Sequence, residues 1–292
     1  MESKNNIEFE NRLIAFIDIL GFKEIIKKAD KDPEQVSWIY DVMEFIKTWE
    51  KPEGWQTDFV EIEESAQYKG VEKFDIRDSV ECTTFSDSIL VSVKVSPEKL
   101  NEAASTLISN LAYIGSILIQ SEIFWRGGMT YGNLIHTKNG IAIGQGLIDA
   151  YKLECSGANF PRIVLTKKLL DQSHYPVNSK PDRYPFHQYL YRHKDGLVGF
   201  HQLTYFEVVQ DYVDGNNNAF IKSLKRAKWA IINGLDEHFE SAPTFEKYHW
   251  LKDRYNELYI EEAVRGKIYD LNEGIAGNNI SFAHTNKFYE SK

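Results

Sequence analysis

The chain has 292 residues, 42% hydrophobic and 13% aromatic, with a formal net charge of -9. That length and apolar content suffice for a sizeable core, in one large domain or in a domain with an extension. The acidic balance argues against a broad nucleic-acid surface, which needs a basic face. It leaves room for a nucleotide ligand whose phosphates are neutralised by divalent cations. No stretch approaches the roughly 20 apolar residues of a membrane span. The polar amino terminus, MESKNNIEFENR, lacks the apolar segment of a secretion signal. Cys82 and Cys155 fit no CxxC pattern and read as reduced thiols. Together these features predict a cytoplasmic protein that engages neither membrane nor nucleic acid.

In chain order, Leu13 to Ile17 is a short apolar run that ends in Asp18 and a glycine turn at Gly21, which predicts a strand feeding a helix. That helix is expected from about Phe22 to Trp49, with a break near Asp32-Pro33. Residues 51–78 are polar and read as an insertion. Glu81 to Phe85 and Ser88 to Val93 form a tight hairpin around Ser86-Asp87. Ser96 and Pro97 open the clearest helix, in which Leu100, Ala104, Leu107, Leu111, Ile114 and Leu118 recur at helical spacing. Trp125 to His136 and Gly140 to Ile143 read as a strand pair hinged at Lys138-Asn139-Gly140. A helix over Leu147 to Glu154 and a strand in PRIVLT (161–166) follow. The order β-α-β-β-α-β predicts an α+β fold, the ferredoxin-like split βαβ arrangement with an antiparallel sheet and helices on one face.

Further on, Gln188 to Arg192 and Gly196 to His201 make a hairpin around Lys194-Asp195-Gly196. Two amphipathic helices come next, one carrying Phe220, Leu224, Ala227 and Ile231, the other Tyr248, Leu251, Tyr255 and Leu258. Polar DGNNN (214–218) separates them from the sheet, and the last 25 or so residues read as a loosely packed tail. The expected division is residues 1–170 as a catalytic domain and 171–292 as a hairpin and helical extension packed on it.

Two carboxylates stand out. Asp18 lies at the carboxyl end of a buried strand, just before a turn at Gly21 and Phe22 whose backbone N–H groups suit phosphate oxygens. Asp87 lies at the tip of the central hairpin. In a split βαβ sheet the first strand lies beside that hairpin, so the two can converge as hard oxygen ligands for Mg²⁺ or Mn²⁺. Taken singly, each also reads as a turn former or a helix cap.

The ordered set FIDILGF (16–22), FSDS (85–88), RGGMTYGNLIH (126–136), GQGLIDAYKLE (144–154) and PRIVLT resembles the class III adenylate and guanylate cyclases, over about residues 12 to 166. The third segment is similar to the family's R-x-G-x-x-x-G strand and the fourth parallels its G-x-x-V-N-x-A-x-R helix. The resemblance implies a head-to-tail homodimer with two shared active sites. One protomer would supply Asp18, the carbonyl of Ile19 and Asp87 as metal ligands, and its partner the helix after Gly144. It implies attack of a ribose 3′-hydroxyl on the α-phosphorus of a nucleoside triphosphate, with two ions about 3.5–4 Å apart.

Departures from the family pattern shape the substrate expectation. The base-reading lysine falls on Thr83 and the base-reading Asp or Cys on Ile141. The ribose-orienting Asn falls on Ile148, or on Asp149 if the helix is shifted by one residue. The transition-state Arg falls on Lys152, which keeps the charge without the bidentate fork. With AYKLE and PRIVLT, this pattern resembles the pyrimidine cyclases of bacterial Pycsar antiphage systems. That resemblance implies cyclic UMP, ahead of cyclic CMP, as a messenger for a separate effector.

Phe22, Phe85 and Tyr151 are candidates to stack on the base, and each also reads as a core aromatic. Arg126 suits either a phosphate or an acidic side chain, and Arg162 ranks behind Lys152 for transition-state charge. Gly127-Gly128 reads as close backbone packing at a dimer interface. The competing functions are a degenerate domain that senses nucleotides without turnover, a purine cyclase, and a small RNA binder that the acidic balance disfavours.

Overall fold

The computed structural model describes residues 7–56, 74–174, 189–209 and 218–265. Residues 57–73 of the expected 51–78 insertion, most of the DGNNN linker and the tail therefore lie outside the described residues. The chain divides into two compact units: residues 1–111 with 125–200, and residues 112–124 with 201–292.

In the first unit, β1 (Glu10–Ile19) is followed by α1 (Phe22–Ala29) and α2 (Pro33–Lys47). The break expected near Asp32-Pro33 is present and divides the helix in two. Asp32 accepts a hydrogen bond from the backbone N–H of Glu34 and Pro33 opens α2, a stop and restart written locally. β2 (Val80–Phe85) and β3 (Ser88–Lys94) form the expected hairpin. Ser86 takes a left-handed φ of 57°, as the first loop residue of favoured two-residue hairpins does. α3 (Leu100–Gln120) begins after a short 3-10 turn at Pro97–Lys99, and Ser96 makes no side-chain cap bond to it. β4 (Trp125–His136) and β5 (Ala142–Ile143) pair as expected. α4 (Gln145–Gly157), β6 (Arg162–Leu165) and α5 (Lys167–Gln172) follow, and then the hairpin of β7 (Tyr191–Arg192) and β8 (Val198–His201).

The sheet order is β2-β3-β1-β4-β6-β8-β7, with β5 on the end of β4. Its first four strands are antiparallel, which is the split βαβ core. β6, however, runs parallel to β4, with Gly127 opposite Ile163 and Met129 opposite Leu165. The sheet is mixed rather than wholly antiparallel, because α4 carries the chain back before β6 starts, as a βαβ crossover does.

The expectation of helices on one face is also corrected. On β1, Ile14 packs with Leu90, Leu134 and Ala150 under α4. Leu13 and Ile17 point the other way, and all three β1 residues are 0% exposed. On that second face Trp49, in the turn after α2, meets Trp125 edge-on with ring centroids 6.1 Å apart. A strand covered on both sides is apolar without alternation.

α4 rides close on the sheet because β4 is glycine-rich there. A Cβ on Gly128 would lie 2.3 Å from the Ala150 carbonyl oxygen and 2.9 Å from the Glu154 nitrogen. Gly127 and Gly128 thus permit packing inside the protomer, not at the dimer interface expected for them.

In the second unit, the end of α3 joins α6 (Thr204–Val209), α7 (Asn218–Glu237) and α8 (Ala242–Arg265). Leu224, Ala227 and Ile231 on α7 and Leu251 and Tyr255 on α8 are buried. Gln202 donates to the carbonyls of Gly115 and Ile123 at 3.2 and 2.9 Å. Among the described residues, Pro97–Gln120 is long and apolar enough to cross a membrane, but 72% of its most apolar window is buried within the protein, as in a core helix.

Gly128→Ala should destabilise the protein by about 3 kcal/mol, since backbone must move to admit the methyl group. A thermal melt unchanged from wild type would contradict the packing of α4 on β4.

Candidate active site

The end of β1 organises this site. Asp18 lies opposite Ser88 of β3 on one side and Arg126 of β4 on the other. The Ile19 N–H donates to the Asp87 carbonyl at 2.9 Å, which ties the hairpin tip to the strand end. Asp18 and Asp87 thus share one end of the sheet. The Asp18 side chain is 23% exposed and Asp87 is half-buried, so both reach solvent. Gly21, in the left-handed region at φ 73°, then starts α1, with open space where a Cβ would be. Phe22 is half-buried at the first position of that helix.

Asp18 shares the α4 face with Ile14 and Phe16, and α4 contributes a residue that sequence reasoning missed. Glu154, 3% exposed, lies 2.7 Å from Arg126 Nε, and the same nitrogen is 3.4 Å from Asp18 Oδ2. The Glu154 contact is close but off line for a hydrogen bond. Burial holds the Asp18 carboxyl above the ordinary aspartate value. The negative charge of Glu154 adds to this, Arg126 opposes it, and Asp87 adds a further rise. The Cys155 thiol donates to Glu154 Oε2 at 3.2 Å, and Tyr151 meets Phe16 edge-on at 5.4 Å.

Other expected residues fall elsewhere. Thr83 lies mid-way along β2, where its hydroxyl meets His136 Nε2 at 2.9 Å. His136 Nδ1 meets the Ser92 hydroxyl at 2.8 Å, and Arg12 Nε donates to that hydroxyl at 2.8 Å. Burial, reinforced by Arg12, lowers the His136 pKa to about 4, so the ring is neutral at physiological pH. The 137–141 turn carrying Ile141 packs against Thr83, since a Cβ on Gly140 would lie 3.5 Å from the Thr83 methyl. The two positions matched to base reading therefore neighbour each other.

Asp149 accepts from the Gln145 amide at 2.7 Å. Lys152 is exposed and sits two residues from Glu154, about 200° around the helix. It does not join Asp18 within one protomer. Ile148, 46% exposed, shares its side of α4. Phe85 and Tyr151 are 79% and 50% exposed, so the core reading of both fails. Arg162 is buried, pairs with Asp195 and donates to the Gly157 carbonyl at 3.1 Å, a structural role away from the carboxylates.

Among the described residues no group of three or more His, Cys, Asp or Glu is placed to hold a metal ion. The local donor set is two carboxylates of hard oxygen. It fits Mg²⁺ or Mn²⁺ with water completing the shell, part of which substrate phosphates would displace when a nucleotide binds.

No protein-family model matches the chain, and no curated protein matches it. Among solved structures it is similar to the crystal structure of the catalytic core of a rhodopsin-guanylyl cyclase with converted specificity, in complex with ATPαS. The identity is 15% and the TM-score 0.36, over 66% of this chain and 94% of that one. At that level of similarity, the reading of the site rests on its own residues.

The raised Asp18 pKa makes the ionised carboxylate a burden on the fold, present at neutral pH, lost as pH falls through the raised folded-state value and absent below the unfolded value of 3.8. Asp18→Asn should therefore raise Tm at pH 7, with the gain shrinking as pH falls through the raised folded-state value and gone below the unfolded value of 3.8. A lower Tm at pH 7 would contradict this.

Proposed function

We propose that the chain is a nucleotidyl cyclase that converts a nucleoside triphosphate to its 3′,5′-cyclic monophosphate and pyrophosphate. The observation that carries this reading is the pairing of Asp18 and Asp87 at one accessible end of the sheet, beside a cationic side chain. In the reaction the ribose O3′ forms a bond to the α-phosphorus, and the bond from that phosphorus to the pyrophosphate oxygen breaks. Asp18, Asp87 and the Ile19 carbonyl would hold Mg²⁺ or Mn²⁺. When bound, the ions would supply Lewis-acid neutralisation of the phosphate oxygens.

The chain's own residues carry the rest. Arg126 turns its Nε edge to Asp18 and Glu154, which suits its outer nitrogens to the substrate's phosphates. Lys152, on the exposed side of α4, is suited to reach the site of a second copy and meet charge on the transferring phosphoryl group. That division supports a head-to-tail homodimer with shared sites.

The proposed substrate is a pyrimidine triphosphate, UTP ahead of CTP. Thr83 and Ile141 fall at the two positions matched to the polar base contacts of purine cyclases, and Ile141 would leave one edge of adenine unpaired, which weakens binding by roughly 1–3 kcal/mol. Phe85 and Tyr151, both exposed, are available to stack on the base or on a second copy. A cyclic pyrimidine nucleotide would then act as a messenger for a separate effector in antiphage defence.

Purified protein incubated with each of the four ribonucleoside triphosphates and Mn²⁺ should yield cyclic UMP or CMP, and Asp87→Ala should lower the rate at least about 100-fold. Mixing Asp87→Ala with Lys152→Ala protomers should restore part of the activity through the one intact site of the heterodimer. Cyclic AMP alone would overturn the pyrimidine assignment. Nucleotide binding without any product would favour a sensor.

A further inference from the structure

Glu154 presents an unexplained expense, a carboxylate 3% exposed beneath α4. A charge so placed needs a partner, and its cationic neighbour is Arg126. Arg126 is also beside Asp18, so one guanidinium stands between two carboxylates. Its Nε donates a long hydrogen bond to Asp18 Oδ2 at 3.4 Å, while Glu154 Oε1 lies closer in charge contact, at 2.7 Å but off line for a hydrogen bond. The backbone fixes that inequality. Glu154 is held close over β4 by the contact of α4 with Gly128, and Asp18 is held by strand pairing on both sides.

Resting on the metal-dependent reading above, we propose that Glu154 is a positioning residue that holds Arg126 back from a closer pairing with Asp18 and so keeps the Asp18 carboxylate available to a divalent cation. Without Glu154, the guanidinium closes on Asp18 as an internal counter-ion and competes with the metal for the same oxygens. The Cys155 thiol, bonded to the other Glu154 oxygen, helps to fix the orientation of the carboxylate.

The test is Mn²⁺ binding without nucleotide, measured by the loss of the free-ion electron paramagnetic resonance signal, on the full chain. Glu154→Gln keeps the shape and removes the charge, and should weaken Mn²⁺ about tenfold, as loss of a group supporting a metal ligand commonly does. The double variant Glu154→Gln with Arg126→Gln removes the competing cation as well, and should return the affinity to within about threefold of wild type. If Glu154 acts only through its field or through the fold, the double variant stays as weak as Glu154→Gln, and the proposal is overturned. Equal binding by wild type and Glu154→Gln overturns it too, while leaving the metal site standing. If wild type binds no Mn²⁺, the metal reading and this proposal fall together.

Discussion

The structure turns on the seating of β1 between β3 and β4, closed at its end by the hydrogen bond from Ile19 to the Asp87 carbonyl. Pairing on both sides fixes the register. A slip of one residue would carry Asp18 to the Leu13 and Ile17 face, among apolar side chains and away from Arg126. The two-residue loop at Ser86-Asp87 does the rest, because it lets β3 begin directly opposite Asp18. Two carboxylates 69 positions apart in sequence are brought to the same end of the sheet by backbone geometry.

That meeting works against the stability of the fold. Asp18 is half-buried near the negative charges of Glu154 and Asp87, with Arg126 as the neighbouring cation. Surplus negative charge held in a partly dry place is poorly suited to a structural role and well suited to a cation that arrives from solution. The polar network of Arg12, Ser92, His136 and Thr83 differs in kind. It is satisfied through successive hydrogen bonds, keeps its imidazole neutral and pairs its one charge, on Arg12, with Glu10 at 2.7 Å, so it stiffens the sheet without surplus charge.

Most of the architecture could be read from local pattern. The hairpin, α3, the β4–β5 pair and the α7–α8 helices each carry their own turn residues or apolar spacing. The break after α1 was legible in Asp32-Pro33. What escaped was long-range. The parallel pairing of β6 depends on where α4 returns the chain, which no local pattern states. The burial of both faces was signalled by Leu13 to Ile17, an apolar run too continuous for a half-exposed strand. Glu154 was the most consequential omission. Within AYKLE it looks like any helix-surface acid, and only the Gly128 contact, which brings α4 down onto β4, makes it a buried partner of Arg126. The same contact gave the paired glycines a role inside the protomer rather than between copies.

The central claim is that Asp18 and Asp87 grip divalent cations together. Anomalous diffraction from crystals grown with Mn²⁺ and a non-cyclisable UTP analogue tests it most directly. The account predicts manganese peaks within about 2.0–2.3 Å of carboxylate oxygens from both residues, bridged to the nucleotide phosphates. Manganese bound elsewhere, or nucleotide bound with neither aspartate touching a metal, would contradict it.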